Sequence, residues 1–545
     1  MIPTSYSDGL LASVKPNDGA GDFTFTRGSN TSATRVNADG NIEKGYENLL
    51  KQSNTFSDAA WSGLFKTSGI LGYDGTNNAW EITKPSQPYT SIYQSVSANG
   101  VWTFSLYAKA NTLDKISIRN QTDSEKADID LLNGLITYTS SGIVHSDIEL
   151  ISNDWYRLQI TFSGSTSQIA IYVAWNNSTA GSVYIQDAQL EIGLAATEVI
   201  TSGATKGKAG LLENEPRFDY SGDATCPSLL LEPSRTNLIK YSEYYGDLAP
   251  TRITLTSNYG ISPEGVQNAA AIFNTTENGR HNLNGAYFVV TSGTSYVNSV
   301  FAKAGTITKM KLRMFSGGGT DIGFNDGDFD LTNGTATGTG AGIESYGNGW
   351  YRCYVVDSPT SSVSNARFNI ELLDANGGIS YVGSVTDYIE IYGSQVEEGS
   401  YPTSYIPNHS GGSVTRGAED ATNTGTIDAD NDFTLFLQTK GNADADLGVF
   451  FSGFGYLDTN SSAEIRFRYS STNYVSNADP SVDFKFLLRK DGTNLKMYVN
   501  GTLEHTITTL PTGTQDINFE EGQHKQFLIF PEALSDADCI SLTTL

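Results

Sequence analysis

The feature that most constrains the fold of this 545-residue chain is an internal repeat. Five short segments return in the same order about 190 to 200 positions further along, and self-similarity at a fixed spacing indicates repeated structural units. The matched pairs are Asn48–Ser53 with Asn237–Ser242, Tyr107–Ala110 with Phe301–Ala304, Asp130–Gly134 with Asp330–Gly334, Trp155–Arg157 with Trp350–Arg352, and Gln189–Glu191 with Gln395–Glu397. The sequence therefore predicts two copies of one domain.

Each copy consists of short alternating runs separated by turn residues about every 8 to 12 positions, a pattern typical of a β-sandwich. In the first copy Trp102, Phe104 and Leu106 alternate with polar residues, so they share one face of a strand and predict its core side. Asn133–Gly134 and Asn333–Gly334 predict a two-residue hairpin turn at the same place in both copies.

A third domain follows a linker at 407–422, after which the pattern no longer matches the two copies. Alternation resumes in Phe484–Arg489, and Asn500–Gly501 is a strong signal for a tight hairpin. Ser535, three residues before Asp538, predicts the N-terminal cap of one short helix. The predicted fold class is all-β, with three consecutive β-sandwiches.

Charge and hydropathy exclude several classes of partner. Lys and Arg total 34 against 60 Asp and Glu, a formal charge of -26, so the chain repels phosphates and anionic lipid; we expect no nucleic-acid partner. No apolar run of about 18 residues occurs, so no membrane insertion is expected, and the first residues lack the pattern of a secretory signal. The cysteines, Cys226, Cys353 and Cys539, are too few for a disulfide framework.

Several segments in the first 420 residues resemble a family of tailed-bacteriophage virion proteins. They are Gly21–Arg27, Ser32–Glu43, Glu215–Tyr220, Leu229–Leu238, Gly393–Pro407 and Thr415–Arg416. The C-terminal segments Leu495–Gly501 and Phe530–Ser535 resemble the laminin-G or concanavalin-A-like lectin sandwich. One departure from the family layout is a full sandwich between the segment that ends at Glu43 and the one that begins at Glu215.

This resemblance implies a fibre, spike or appendage protein that is made in the host cytoplasm and exposed on the virion, commonly as a homotrimer. The fold class it implies is two repeated jelly-roll modules, similar to carbohydrate-binding modules, plus a lectin-like sandwich. The implied partners are other virion proteins of the capsid or tail and host-surface glycans.

The repeat and the resemblance together predict six parts of the chain. They are an N-terminal virion-attachment segment (1–46), a first carbohydrate-binding-like sandwich (47–199), a connecting segment (200–236), a second sandwich that repeats the first (237–406), a linker (407–422) and the concanavalin-A/laminin-G-like sandwich (423–545).

Sugar recognition needs flat aromatic faces beside polar side chains. Trp80 and Trp175 lie next to Asn-rich stretches and have no Trp counterpart in the second copy, so they are the predicted carbohydrate contacts. The alternative is that both rings are structural, as we expect for Trp102, Trp155 and Trp350.

Metal and catalytic chemistry have weaker signals. Asp326, Asp328 and Asp330, with Asp321 and Asn325 nearby, offer oxygen ligands for a structural Ca²⁺, and the alternative is an ordinary polar turn. No other cofactor is expected. The chain shows no nucleophile elbow, no zinc-protease motif and no phosphate-binding glycine loop. The histidines are isolated in sequence and are expected in surface or turn positions; they are His145, His281, His409, His505 and His524.

The sequence therefore predicts a non-enzymatic virion protein that binds host-surface or environmental polysaccharide. Two alternatives stay open at this point. One is a head fibre, decoration or adaptor protein with assembly contacts only, and the other is a polysaccharide depolymerase, which would need two carboxylates about 5 to 9.5 Å apart across the sugar.

Overall fold

The structure, a computed structural model, describes residues 3–7, 10–13, 24–28, 32–212, 215–221, 227–317, 322–441, 447–452, 455–460 and 462–545. Cys226 and Asp321 lie outside these residues. Nearly all regular structure is β, and the sheets pack face to face as sandwiches, which confirms the predicted fold class.

The first sandwich has two six-stranded sheets. The strands up to its end are β1 (Pro3–Ser7), β2 (Leu10–Ser13), β3 (Thr24–Thr26), β4 (Thr34–Val36), β5 (Ile42–Asn48), β6 (Ser62–Gly63), β7 (Phe65–Ile70), β8 (Ala79–Lys84), β9 (Ser91–Ala98), β10 (Val101–Ala110), β11 (Lys115–Asn120), β12 (Lys126–Asp130), β13 (Leu135–Thr139), β14 (Ile143–Ser152), β15 (Trp155–Ser163), β16 (Thr166–Val173) and β17 (Gly181–Ile192). One sheet has the order β14-β15-β10-β17-β8-β7 and the other β13-β12-β11-β16-β9-β6. Trp102 and Leu158 of the first sheet pack with Ile118 and Ile171 of the second in one core.

The second sandwich repeats this plan. The next strands are β18 (Gly207–Gly210), β19 (Arg217–Asp219), β20 (Ser228–Leu231), β21 (Arg235–Asn237), β22 (Ala249–Thr251), β23 (Ile253–Ile261), β24 (Gln267–Asn274), β25 (Asn278–Gly279), β26 (His281–Asn284), β27 (Phe288–Val290), β28 (Tyr296–Ala304), β29 (Lys309–Ser316), β30 (Asp326–Asp330), β31 (Thr335–Thr337), β32 (Ala341–Ser345), β33 (Trp350–Asp357), β34 (Val363–Leu372), β35 (Tyr381–Val382) and β36 (Tyr388–Glu398). Its sheets are β22-β26-β34-β29-β30-β31, with β27 also on β34, and β23-β24-β36-β28-β33-β32.

The third sandwich is built around one long bent strand. The remaining elements are β37 (Val414–Arg416), β38 (Asp420–Asp428), β39 (Phe433–Lys440), β40 (Gly448–Phe451), β41 (Gly455–Thr459), β42 (Ile465–Tyr469), β43 (Thr472–Ser476), β44 (Phe484–Lys490), β45 (Leu495–Val499), β46 (Thr502–Ile507), β47 (Thr514–Phe530) and α1 (Asp536–Thr543). The first part of β47 pairs with β40 and the second part with β39. Gly522 lies between the two parts with a φ of +118°, a conformation that residues with a side chain disfavour. The bend at Gly522 allows one strand to pair with β40 before it and with β39 after it.

Segments far from the C-terminus complete this third sandwich. Strand β3 pairs with β38, and β20 pairs with both β19 and β47. The predicted attachment segment, connecting segment and linker thus supply strands, and Leu231 and Phe25 enter the core of the third sandwich.

The repeated motifs hold equivalent positions in the two copies. Asn48 and Asn237 are fully buried, and the side-chain oxygen of each accepts hydrogen bonds from backbone N–H groups of its own loop and of the strand beside it. The side chains of Gln189 and Gln395 each donate to the glutamate two residues later. The repeat therefore consists largely of buried polar side chains that satisfy backbone groups where the chain enters and leaves each sandwich.

The hairpin at Asn133–Gly134 differs in length from the prediction. Asp130 pairs with Leu135, so the loop has four residues, and the carboxylate of Asp130 accepts from the backbone of Asn133. Asp330 does the same in the second copy. The turn is longer because an Asp side chain closes it, and only the glycine has a positive φ.

Two other local predictions are confirmed. Val499 pairs with Thr502, so Asn500 and Gly501 form a two-residue hairpin with positive φ at both positions. Ser535 caps α1 and accepts from the backbone N–H of Asp538. Among the described residues, no helix is long and apolar enough to cross a membrane.

Three histidines are buried, contrary to the expectation of surface positions: His281, His409 and His524. His524 stacks on Phe519, and its Nδ1 lies 2.9 Å from the hydroxyl of Thr439. Burial lowers the pKa of His524 to about 3.

This buried histidine makes the third sandwich sensitive to acid. Between the unfolded pKa near 6.5 and the folded pKa near 3 the unfolded chain binds a proton that the folded chain does not, so stability falls as pH falls through that window. The free energy of unfolding is expected to fall between pH 7 and pH 4, and we expect this fall to be roughly 2 to 3 kcal/mol smaller in His524→Gln. Urea unfolding at each pH measures it. His505→Gln, at a half-buried position of the same sandwich, is the control, and equal acid sensitivity of both variants would contradict the assignment.

Candidate ligand-binding surface

Trp80, one of the two predicted sugar contacts, belongs to the core. Its ring is 9% exposed, packs edge-on against Phe56 with centroids 6.2 Å apart, and donates its indole N–H to the carbonyl of Asn54 at 2.9 Å. The prediction for Trp80 is therefore corrected, because the neighbouring loop folds over the ring and leaves no face for a sugar.

Trp175 lies at the surface, at the end of β16. The half-buried ring meets Tyr172 edge-to-face at 4.4 Å and Tyr89 at 5.1 Å. Tyr89 is 59% exposed, and its backbone N–H donates to the carbonyl of Trp175 at 2.8 Å. Two loops are thereby joined into one aromatic surface.

Two cations lie against these rings. The Cζ atom of Arg119 is 4.7 Å from the centroid of Trp175, and Nζ of Lys126 is 5.2 Å from it and 4.9 Å from the ring of Tyr138. A cation over an aromatic face is attracted electrostatically to the ring, so these contacts stabilise the positions of both cations. We call Trp175, Tyr89, Tyr138, Arg119 and Lys126 the Trp175 surface.

Strand alternation explains why these side chains share one face. Ile116 and Ile118 of β11 point into the core, so Arg119 points outwards. Arg119 pairs directly with Lys126 of the next strand, which places the two cations side by side. This alternation could be predicted from the sequence, but the contact between Arg119 and Trp175 could not.

The two cations differ in their partners. Nζ of Lys126 lies 2.5 Å from the carboxylate of Asp128, which also accepts from the hydroxyl of Ser117. Within the part of the chain that the structure describes, the side chain of Arg119 makes no ion pair or hydrogen bond, and its buried Nε has no acceptor. The side-chain N–H donors of Arg119 thus have no acceptor among the described residues.

The carboxylates of the predicted calcium site are used in other ways. Asp326 and Asp328 lie 3.1 and 3.0 Å from Nζ of Lys311, and Asp330 closes the hairpin turn described above. Across the described ranges no group of three or more His, Cys, Asp or Glu side chains is arranged to hold a metal ion. The structure therefore favours the polar turn for these residues.

A buried ionic cluster joins the segments that carry the family resemblance. Arg217 pairs with Glu232 at 2.8 Å and with Glu419, Arg27 pairs with Glu419 at 3.2 Å, and Arg416 pairs with Glu232 at 2.9 Å. All five side chains are at most 7% exposed. We call these five residues the Arg–Glu cluster; it connects the N-terminal attachment segment, the connecting segment and the start of β38.

The charges of this cluster depend on one another. Burial alone would raise the pKa of Glu232, but Arg416 and Arg217, with hydrogen bonds from Ser404, hold it at about 2. Gly417 passes so close to Arg27 that a Cβ there would lie 2.1 Å from the Arg27 carbonyl oxygen. Close packing of the backbone thus accompanies the ion pairs.

A second buried polar cluster lies between the first two sandwiches. Nζ of Lys44 contacts Glu264 at 2.6 Å and Glu243 at 3.1 Å, and Nε2 of His409 lies 3.3 Å from Glu243. Burial opposes charge on Glu243, but His409 and Lys44 lower its pKa well below the usual range. The residues 407–409 of the predicted linker are therefore buried between the sandwiches.

A cavity of about 510 Å³ lies beside the Arg–Glu cluster. Its walls include Tyr346, Glu344, Arg352 and Lys440, which come from the second and third sandwiches. Burial raises the pKa of Glu344, while Arg352 and Lys440 act in the opposite direction. A cavity of this size suits a small ligand, and no sequence motif indicated it.

Comparisons with known proteins add little to this description. No protein-family model and no curated protein matches the chain. Among solved structures, domains LG4-5 of the mouse laminin alpha1 chain are similar, with 10% identity, a TM-score of 0.16, and coverage of 47% of this chain and 88% of that chain. A TM-score this low carries no argument about function.

Proposed function

We propose that the chain is a non-enzymatic virion protein of a tailed bacteriophage, a fibre or appendage that binds polysaccharide through the Trp175 surface. The virion role rests on the sequence resemblance, and with it come the proposed homotrimer and the proposed contacts with capsid or tail proteins. The polysaccharide-binding role rests on the structure of the first sandwich.

The observation that carries the proposal is the exposed aromatic surface on one outer sheet face. Tyr89 and Tyr138 are 59% and 50% exposed; Tyr89 packs edge-on against Trp175, and Tyr138 lies beside Lys126. Flat rings with nearby hydrogen-bonding groups bind the apolar face of a sugar and fix its orientation. Several weak sites on one particle increase the avidity further.

Replacing Trp175 tests the proposal. We expect Trp175→Ala to reduce retention of the protein on host polysaccharide about tenfold, because the ring contacts Tyr89 and both cations, while the melting temperature changes little. The measurement is retention of the protein, presented multivalently on beads, by a panel of immobilised polysaccharides and intact host cells.

Phe65→Ala is the matched control, since Phe65 is 80% exposed and belongs to the other sheet of the same sandwich. Equal retention of both variants would contradict the role of the Trp175 surface. Release of reducing ends from the polysaccharide would show a depolymerase instead.

A second candidate, a head fibre, decoration or adaptor protein with assembly contacts only, rests on the same sequence resemblance. Arginine side chains of the segments that carry this resemblance are buried in the fold, where ion pairs of Arg27 and Arg217 with Glu419 join the N-terminal attachment segment to the third sandwich. Co-purification with one capsid or tail protein, without retention on any glycan, would favour this alternative.

A further inference from the structure

The second sandwich carries arginines over aromatic rings on the equivalent outer face. Strand β29 pairs with β34 as β11 pairs with β16, and Leu312 points into the core while Phe315 points outwards. Arg367 of β34 pairs directly with Phe315, and its Cζ lies 4.5 Å from the centroid of that ring. It also lies 5.3 Å from the ring of Tyr287, which is 56% exposed.

The side chain of Arg367 resembles that of Arg119 in its lack of polar partners. Within the described residues its side chain makes no ion pair or hydrogen bond, and its buried Nε has no acceptor. Each guanidinium lies against at least one aromatic ring, and such a contact stabilises the cation without a carboxylate partner. The two repeated sandwiches thus present the same chemistry on the same face.

Arg468 in the third sandwich shows the ordinary arrangement. Its Cζ lies 4.7 Å from the ring of Tyr456, the same distance as Arg119 from Trp175, but its guanidinium lies 2.7 Å from the carboxylate of Asp458. In a chain with 60 acidic residues and 34 basic ones, a guanidinium without an acid is notable. A guanidinium binds a carboxylate in a bidentate manner, so an acidic ligand would complement such a group.

We propose that the outer faces of the two repeated sandwiches bind an acidic polysaccharide, with Arg119 and Arg367 donating hydrogen bonds to its carboxylates. This inference rests on the proposed polysaccharide-binding function and names the class of glycan. The rings of Trp175, Phe315 and Tyr287 orient the guanidinium groups. The net charge of -26 repels such a polymer from the chain as a whole, so binding depends on local cationic groups such as these.

The test compares two polymers with one backbone. The probes are immobilised polygalacturonate and the same polymer with its carboxylates methyl-esterified, together with the panel of host polysaccharides. We expect retention on the acidic polymer and about tenfold weaker retention of Arg119→Gln and of Arg367→Gln, with a larger loss in the double variant. Arg468→Gln is the matched control, because it removes one charge and one cation–ring contact where the guanidinium is already paired.

The outcomes separate this inference from the function beneath it. Equal retention on the acidic and esterified polymers, or equal losses in Arg119→Gln and Arg468→Gln, would overturn the preference for acidic glycans but leave polysaccharide binding intact. No retention on any polysaccharide would overturn both. Melting curves of the variants identify any loss that comes from unfolding.

Discussion

Replacing Glu419 by glutamine is expected to destabilise the third sandwich by about 3 to 5 kcal/mol. The Arg–Glu cluster holds three arginines against two glutamates, and Glu419 pairs with both Arg27 and Arg217. Its loss leaves three buried guanidinium groups with one carboxylate, Glu232, and an uncompensated buried charge costs far more than a surface ion pair contributes.

Urea unfolding, monitored by far-ultraviolet circular dichroism, measures this loss in the free energy of unfolding. Asp483→Asn is the control in the same sandwich, because Asp483 pairs with Lys525 at 2.6 Å near the surface and its loss is expected to cost below about 1 kcal/mol. Similar losses for Glu419→Gln and Asp483→Asn would show that the Arg–Glu cluster contributes no more than a surface pair.

Replacing Trp80 by alanine is expected to destabilise the first sandwich by about 3 to 5 kcal/mol, because the ring is 9% exposed and its removal leaves a cavity beside Phe56. Retention of the folded protein on polysaccharide is expected to stay unchanged. The measurement is a melting curve combined with the retention assay below the melting transition.

Trp175→Ala is the matched control for this variant, since it removes the same side chain from a half-buried position of the same sandwich. We expect the opposite pattern, with weak retention and a nearly unchanged melting temperature. If Trp80→Ala kept its stability but lost retention on polysaccharide, Trp80 would be a binding residue and the correction above would be wrong.

Several features could be predicted because they depend on neighbours in sequence. The alternation of β10 places Trp102 in the core, and Trp155 and Trp350 are buried at equivalent positions of the two copies. Asn500–Gly501 forms its predicted hairpin because backbone conformation decides such a turn. The hairpin at Asn133–Gly134 was predicted in place but not in length, since the Asp130 side chain competes for the turn.

The candidate surface was predictable only in part. Trp175 was identified from its polar surroundings, which Trp80 shares, so sequence alone did not distinguish the exposed ring from the buried one. Arg119 was missed although it alternates with Ile116 and Ile118, because its significance lies in the absence of an acidic partner among the described residues.

Self-similarity predicts the internal repeat, and a two-residue period with local turn chemistry predicts the all-β class and the face of a strand on which each residue lies. Which distant segments meet depends on tertiary packing. Arg27 and Glu419 are 392 residues apart in the chain and form one buried pair. Strand alternation states which face a side chain occupies, but the pairing of strands and the covering of that face depend on the whole packed fold.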